Sequence, residues 1–370
     1  MKKLKIFINN YHYAKISSLQ DFAASAFLFI LLFVPSLFYS AIIRCKNFLY
    51  AINILKEKKV EPYVICIGNL TTGGVGKTPI VCEIANYCSN VLNKKTAIIS
   101  RGYGAKLDNK KVNIIKDYSK IYFDDGSLCG DEALLCAQNT EDCLVLTSSD
   151  RIKAAEFAAK NFGAQVVILD DGFSNRKIKK DFSVLVVDLK KQFGNTHLLP
   201  LGPLREPVSE AKRANYIIIS NKNNTDTKEA KKEISKKLKT DKITLCNFIE
   251  GGYYNIKNNL EMYFSDKKDA IAFCAIGQPE QFYNYLQNSF NILYTKTFCD
   301  HYSYTKKDVE NLANKAREYK CGIIATTQKD EVKIKPYLKE ENSLNFVTMR
   351  LVAQFEDKGL FYAIERELEK

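Results

Sequence analysis

Six consecutive residues, Gly73-Gly74-Val75-Gly76-Lys77-Thr78, bring together three glycines, an ammonium and a hydroxyl. Glycines reach φ > 0 without steric cost and can turn successive backbone N–H groups into one concave, anion-binding nest. Lys77 would reach the terminal phosphates of ATP, and the Thr78 hydroxyl would hold Mg²⁺. Thr71 and Thr72 begin the same loop, and Thr71 stands where the usual pattern has a glycine. A β-branched run, Tyr63 to Ile67, precedes the loop, and a helical pattern, Ile80 to Tyr87, follows it. The N-terminus of that helix adds a partial positive charge.

Four further constellations carry chemistry. Val166 to Leu169 is an apolar run ending in Asp170-Asp171, the acidic strand end that partners a phosphate loop and holds Mg²⁺ directly or through water. Gly130-Asp131-Glu132 opens a helix; its carboxylates either favour the helix dipole or accept the proton of a substrate hydroxyl. Asp300-His301-Tyr302 contains one of only three histidines and reads either as a proton-handling pair or as a surface cap before a helix. Leu199 to Pro207 packs three prolines and a glycine into nine residues and presents Arg205 and Glu206. Arg101, Arg151 and Arg205 each have the fork geometry to clamp a phosphate.

The elements that must position these groups alternate. Thr96 to Ser100, Cys143 to Thr147, Val166 to Leu169, Phe182 to Val187 and Tyr216 to Ser220 read as buried strands with helical patterns among them. Such runs predict an α/β fold with a parallel sheet covered on both faces, and ligands gather at the carboxyl ends of such strands. Ile243 to Asn255 reads as an extended linker. A second α/β unit follows, with strands at Ala270 to Ile276 and Ile323 to Thr327, helices from Pro279 and Thr305, and a closing helix from Phe355 to Leu368. The expected division is residues 1–44, 45–240, 241–265 and 266–370.

Phe22 to Ile43 is 22 residues without a charge, long enough to span a hydrocarbon core, with Pro35 expected to kink it or split it. Lysines flank both sides, so charge asymmetry does not orient it, but an ATP site downstream must be cytosolic. The net charge of +13, from 55 basic and 42 acidic residues, suits an anionic membrane surface. No Arg/aromatic patch marks a nucleic-acid binder, and nothing calls for an obligate protein partner. Eleven cysteines without a C-x-x-C pair predict reduced thiols and no zinc site.

Together these segments resemble the tetraacyldisaccharide 4′-kinase family, the lipid A 4′-kinases. The resemblance rests on Gly68-Asn69-Leu70-Thr71 with Gly73 to Pro79, Ser100-Arg101-Gly102-Tyr103-Gly104, Gly130-Asp131-Glu132, Leu169-Asp170-Asp171-Gly172-Phe173, Leu201 to Pro207, Ala275-Ile276-Gly277 with Pro279 and Phe282, Asp300-His301-Tyr302, and Thr326-Thr327-Gln328-Lys329-Asp330 with Val332-Lys333, in family order. It implies two α/β/α sandwich domains, a P-loop NTPase-like N-terminal domain and a smaller C-terminal α/β domain, joined by a β-linker and preceded by a membrane helix. It also implies ATP-dependent phosphorylation of the 4′-hydroxyl of an acylated disaccharide 1-phosphate lipid, at the cytoplasmic face of a Gram-negative inner membrane. Lys77 and Thr78 then bind ATP–Mg²⁺, and Asp170 and Asp171 serve the metal. Asp131 and His301 look like the catalytic dyad, and Arg151, Arg205 and Glu206 like contacts to the lipid substrate. The chain departs from the family at Ala133, where proline is common, at Ser174-Asn175 in place of Gln-His, and at Gln328 in place of glutamate. The alternative reading is a membrane-tethered P-loop ATPase switch of the partition or septum-placement type, which uses a similar loop.

Overall fold

The computed structural model describes residues 11–13, 19–221, 227–277, 279–300, 302–338 and 343–370. The strands are, in chain order, β1 (Tyr63–Gly68), β2 (Thr96–Ser100), β3 (Asn113–Lys116), β4 (Cys143–Thr147), β5 (Val166–Asp170), β6 (Phe182–Asp188), β7 (Tyr216–Asn221), β8 (Ile243–Asn255), β9 (Glu261–Met262), β10 (Lys268–Cys274), β11 (Phe290–Thr297), β12 (Ile323–Thr327) and β13 (Asn345–Phe355). Helices alternate with most of them, which makes this an α/β protein. Two compact units form by contact rather than by chain order. The first is 1–77, 151–247 and 355–370; the second is 78–150 and 248–354.

In the first unit, β1 lies between β5 and β6, and β7 and the start of β8 continue beyond β6, all parallel. Almost every residue of these strands is buried, as expected where both faces of a parallel sheet are covered. The register sets Ile67 beside Asp170, so the loop after β1 and the acidic end of β5 leave the sheet at the same edge. Gly68 is required there: a Cβ on it would come within 2.6 Å of the Phe173 Cβ.

The first unit also carries one long helix, Leu19–Ala51. It runs unbroken through Pro35, so the expected split does not occur. Of it, Phe29–Ala51 is long and apolar enough to cross a membrane. Ser36 and Asn47 are buried on one side, whereas Ile30, Val34, Leu37, Phe38 and Ile42 are all more than half exposed on the other.

In the second unit, β2 pairs with β4 in parallel, and β3 closes that edge antiparallel to β4. β10 lies between β11 and β12, and β13 follows β12, again parallel. The later part of β8 belongs here and pairs antiparallel with β9. Two aromatic-rich cores cover the β10–β13 group, one around Phe273, Tyr304 and Phe346, the other around Tyr253, Phe282 and Phe290. The closing helix is shorter than the pattern suggests, Gly359–Leu368, because β13 runs on to Phe355 and the Asp357 carboxylate accepts from Gly359 N at 2.7 Å. Nine of the eleven cysteines are buried and all are free thiols.

Candidate active site

The phosphate loop leaves β1 and ends on the helix Lys77–Asn86, the strand–loop–helix order its glycines suggest. Gly73 (φ +98°) and Gly76 (φ +84°) adopt left-handed backbone, which a side chain would strain; Gly74 does not share it. A Cβ at Gly73 or Gly74 would meet nothing within 4 Å, so these positions leave an open approach to the backbone. Val75 is buried, and its carbonyl accepts the Ser220 hydroxyl at 2.6 Å, tying the loop to the end of β7.

Asn69 organises the charged groups. It is buried, and its amide nitrogen donates to the Thr71 carbonyl at 2.7 Å. Its Oδ1 accepts from Lys77 Nζ at 3.1 Å and from Arg205 Nη2 at 2.7 Å. Arg205 in turn donates two bonds to the Asp171 carboxylate, at 2.9 and 3.1 Å, and two to the Thr71 carbonyl, at 3.2 and 3.1 Å. Lys77 Nζ stands 3.5 Å from the same Asp171 carboxylate. Burial alone would raise the Asp171 pKa, but Lys77 and Arg205 outweigh it and the net shift is downward.

The rigid loop that presents Arg205 is stitched to the phosphate loop along its backbone. Thr72 N donates to Pro203 O at 2.8 Å, and Arg205 N donates to Leu70 O at 2.7 Å. Arg205, read from the sequence as a contact to the lipid substrate, therefore lies against the nucleotide loop. Glu206, expected beside it, is fully buried and paired with Arg213 and with Lys46. Arg151 is also buried, and its guanidinium donates to the Asp170 carbonyl at 3.2 Å, bracing the acidic strand end.

The acidic end of β5 suits a magnesium ion. Among the described residues no group of three or more His, Cys, Asp or Glu side chains converges. Mg²⁺ needs none, because it takes one or two carboxylates and completes its shell with water and phosphate oxygens. Asp170, almost wholly buried at the end of β5, and Asp171 directly after it would be carboxylates of that kind.

In the second unit Asp131 opens the helix Asp131–Asn139 and pairs with Lys333 Nζ at 3.0 Å. Lys333 sits in the last turn of the helix Gln328–Ile334. At the other ends of the two helices Asn139 and Gln328 exchange amide hydrogen bonds, at 3.2 and 2.9 Å. The helices thus run antiparallel, clamped by a charge pair at one end and an amide pair at the other. Gly126 makes room for this arrangement: a Cβ there would come within 2.9 Å of the Asp131 carboxylate. Asp300 stands 3.5 Å from Lys329, whereas His301 lies outside the described residues. Asn69 and Lys333 had no assigned role in the sequence, although both stand inside quoted motifs; a polar side chain next to a glycine loop was the available signal for Asn69.

Comparison with known proteins places this arrangement. The family model described as tetraacyldisaccharide-1-P 4′-kinase matches residues 28–369. A tetraacyldisaccharide 4′-kinase of Halothermothrix orenii is 32% identical over 330 residues, covering 82% of this chain and 83% of the relative. Its counterpart in Syntrophus aciditrophicus is 33% identical over 329 residues, covering 84% and 85%. Among solved structures, the crystal structure of LpxK from Aquifex aeolicus in complex with ATP aligns with a TM-score of 0.68 at 28% identity, over 90% of this chain and 96% of that one. The ATPase-switch alternative is not favoured by these relatives, and the chain belongs to the tetraacyldisaccharide-1-phosphate 4′-kinase family.

Proposed function

We infer that this protein is an ATP-dependent lipid kinase that transfers the γ-phosphoryl group of ATP to the 4′-hydroxyl of a tetraacyldisaccharide 1-phosphate. The product is the bis-phosphorylated precursor of lipid A. The observation that carries the reading is the braced phosphate loop, in which Asn69, Lys77, Arg205 and Asp171 form one bonded group beside the open glycine backbone, in a chain of this family.

The transition state of phosphoryl transfer is loose, so positioning and charge neutralisation supply most of the catalysis. Lys77 and the loop N–H groups bind the phosphates, and Asn69 fixes the direction from which Lys77 approaches. Thr78, Asp170 and Asp171 are the residues that would hold magnesium, which when bound would supply charge neutralisation for the phosphate oxygens. We assign Asp131 as acceptor of the hydroxyl proton: the 4′-oxygen bonds to the γ-phosphorus, the bond from that phosphorus to the bridging oxygen breaks, and ADP leaves. Lys333 orients the Asp131 carboxylate. His301 is its partner in the dyad on the strength of the family resemblance, and Arg151 and Glu206 act as buried supports.

Two α/β/α domains divided at about residues 240 and 265 remain part of this reading, with an N-terminal segment held on the cytoplasmic face of the inner membrane. The exposed apolar side of the helix Leu19–Ala51 and the charge of +13 support attachment to an anionic leaflet. The test is incubation with γ-labelled ATP, Mg²⁺ and tetraacyldisaccharide 1-phosphate in mixed micelles. Label in the lipid, lost on Lys77→Ala, is expected. ATP hydrolysis stimulated by vesicles without labelled lipid would overturn the assignment.

A further inference from the structure

The apolar helix and the segment just before it touch the nucleotide loop and its brace directly. Tyr39, on the inner side of the helix, donates its hydroxyl to the Arg205 carbonyl at 2.9 Å. Tyr13 donates to the Thr72 carbonyl at 3.3 Å. These two carbonyls belong to the two stretches that are stitched together, 70–72 and 203–205. The contacts are built rather than incidental. The Ser36 hydroxyl donates to Leu198 O at 2.9 Å, just before the loop that presents Arg205, and His12 Nε2 donates to Pro200 O at 3.0 Å within it. Lys46 pairs with the buried Glu206, the residue after Arg205. Lys191 stands over the Tyr13 ring at 5.1 Å, and burial pushes the Tyr13 phenol up to about 12, so its hydroxyl remains a donor at neutral pH. The opposite side of the same helix is apolar and exposed.

A helix that served only as an anchor would need no polar grip on the phosphate loop. We propose that Tyr39 and Tyr13 are positioning residues through which the N-terminal helix sets the geometry of the nucleotide loop, so that this segment governs ATP affinity as well as attachment to lipid. The proposal rests on the kinase reading for its biological sense, but not for its test. Each hydroxyl holds a backbone carbonyl whose own residue bonds the other half of the stitch. Releasing them loosens Arg205 against Asp171 and Thr72 against Pro203 without removing any group that touches phosphate.

The experiment uses the full chain, with Tyr39→Phe, Tyr13→Phe and the double variant, and with Ser36→Ala as a comparator that frees the helix from Leu198 only. ATP–Mg²⁺ affinity is measured by direct calorimetric titration, attachment by cosedimentation with phosphatidylglycerol–phosphatidylethanolamine vesicles, and turnover by lipid labelling. One neutral hydrogen bond corresponds to about a threefold to tenfold change in a binding constant. The double variant is expected to bind ATP about tenfold more weakly, with KM for ATP rising in parallel, kcat and KM for lipid little changed, and vesicle binding intact. Ser36→Ala is expected to leave ATP affinity within twofold. The proposal is overturned if the double variant binds ATP like the wild type, if Ser36→Ala loses as much affinity, or if affinity falls only together with vesicle binding or with the thermal midpoint. A failure of the kinase reading shows elsewhere, as wild-type protein that binds ATP and labels no lipid, and the titration still decides the role of the tyrosines.

Discussion

The guanidinium of Arg205 and the carboxylate of Asp171 meet through two hydrogen bonds, at 2.9 and 3.1 Å. A lysine cannot reproduce that fork, nor reach Asn69 and Thr71 at the same time. Arg205→Lys should raise KM for ATP about tenfold or more, the scale of losing charge-assisted bonds. KM for lipid should move little. Initial rates over both substrates separate the outcomes, and a selective rise in the lipid KM would return Arg205 to the lipid side.

The same cluster gives a dependence on pH. Burial raises the Asp171 pKa and the two cations lower it further than burial lifts it, so the native value lies below the ordinary one. A carboxylate with a depressed native pKa adds stability above its unfolded value, about 3.9, and loses that contribution as pH falls through the native value. The gap in urea midpoint between wild type and Asp171→Asn should therefore be steady from about pH 7 to 5 and close below about pH 4. A gap that persists into strong acid would mean that the ion pairs do not stabilise the fold.

Phe38 and Ile42 are exposed on the outer side of the long helix. Burying such a side chain in an apolar medium is worth about 1.5–3 kcal/mol. Phe38→Ser with Ile42→Ser should thus reduce vesicle binding about a hundredfold or more, while ATP titration in detergent stays unchanged. Cosedimentation reads the first and calorimetry the second.

The amide pair between Asn139 and Gln328 joins two helices 189 residues apart in sequence. Gln328→Leu should cost about 1 kcal/mol, with Asn139→Leu similar and the double variant costing less than their sum, because each single change leaves the other amide unpaired. Urea denaturation of the three variants measures the coupling. Strict additivity would show that the pair contributes nothing.

What could be read along the chain followed from local signals. The strands β1, β2, β4, β5, β6, β7 and β12 are continuous apolar runs, and the phosphate loop is a contiguous run of glycine, lysine and threonine. β13 was not foreseen, because Asn345 to Phe355 interleaves Thr348, Arg350 and Gln354 with its apolar residues, and its burial follows no clean alternation. β11 was not foreseen either: its apolar signal is confined to the short run Ile292 to Tyr294, since this edge strand leaves most of its later side chains exposed. Within the site, Lys77 and Asp171 could be named from their own neighbourhoods. The brace could not: Arg205 and Asn69 are 136 positions apart, and a rigid proline-rich loop says that it presents something, not to what. Tyr39 offered no signal at all, being one aromatic residue in an apolar run.

Pro35 lies inside the helix Leu19–Ala51 without ending it. Proline has no N–H, so the carbonyl one turn earlier, on Leu31, receives no helical donor from it. Hydrocarbon supplies no replacement and water does, and an unmet carbonyl in lipid costs several kcal/mol. Leu31 is itself more than half exposed, on the side away from the protein. That one oxygen then marks a waterline on the helix: at the depth of the headgroups it would keep its hydration, whereas deep in hydrocarbon it would need a side chain or an ordered water to replace the missing donor.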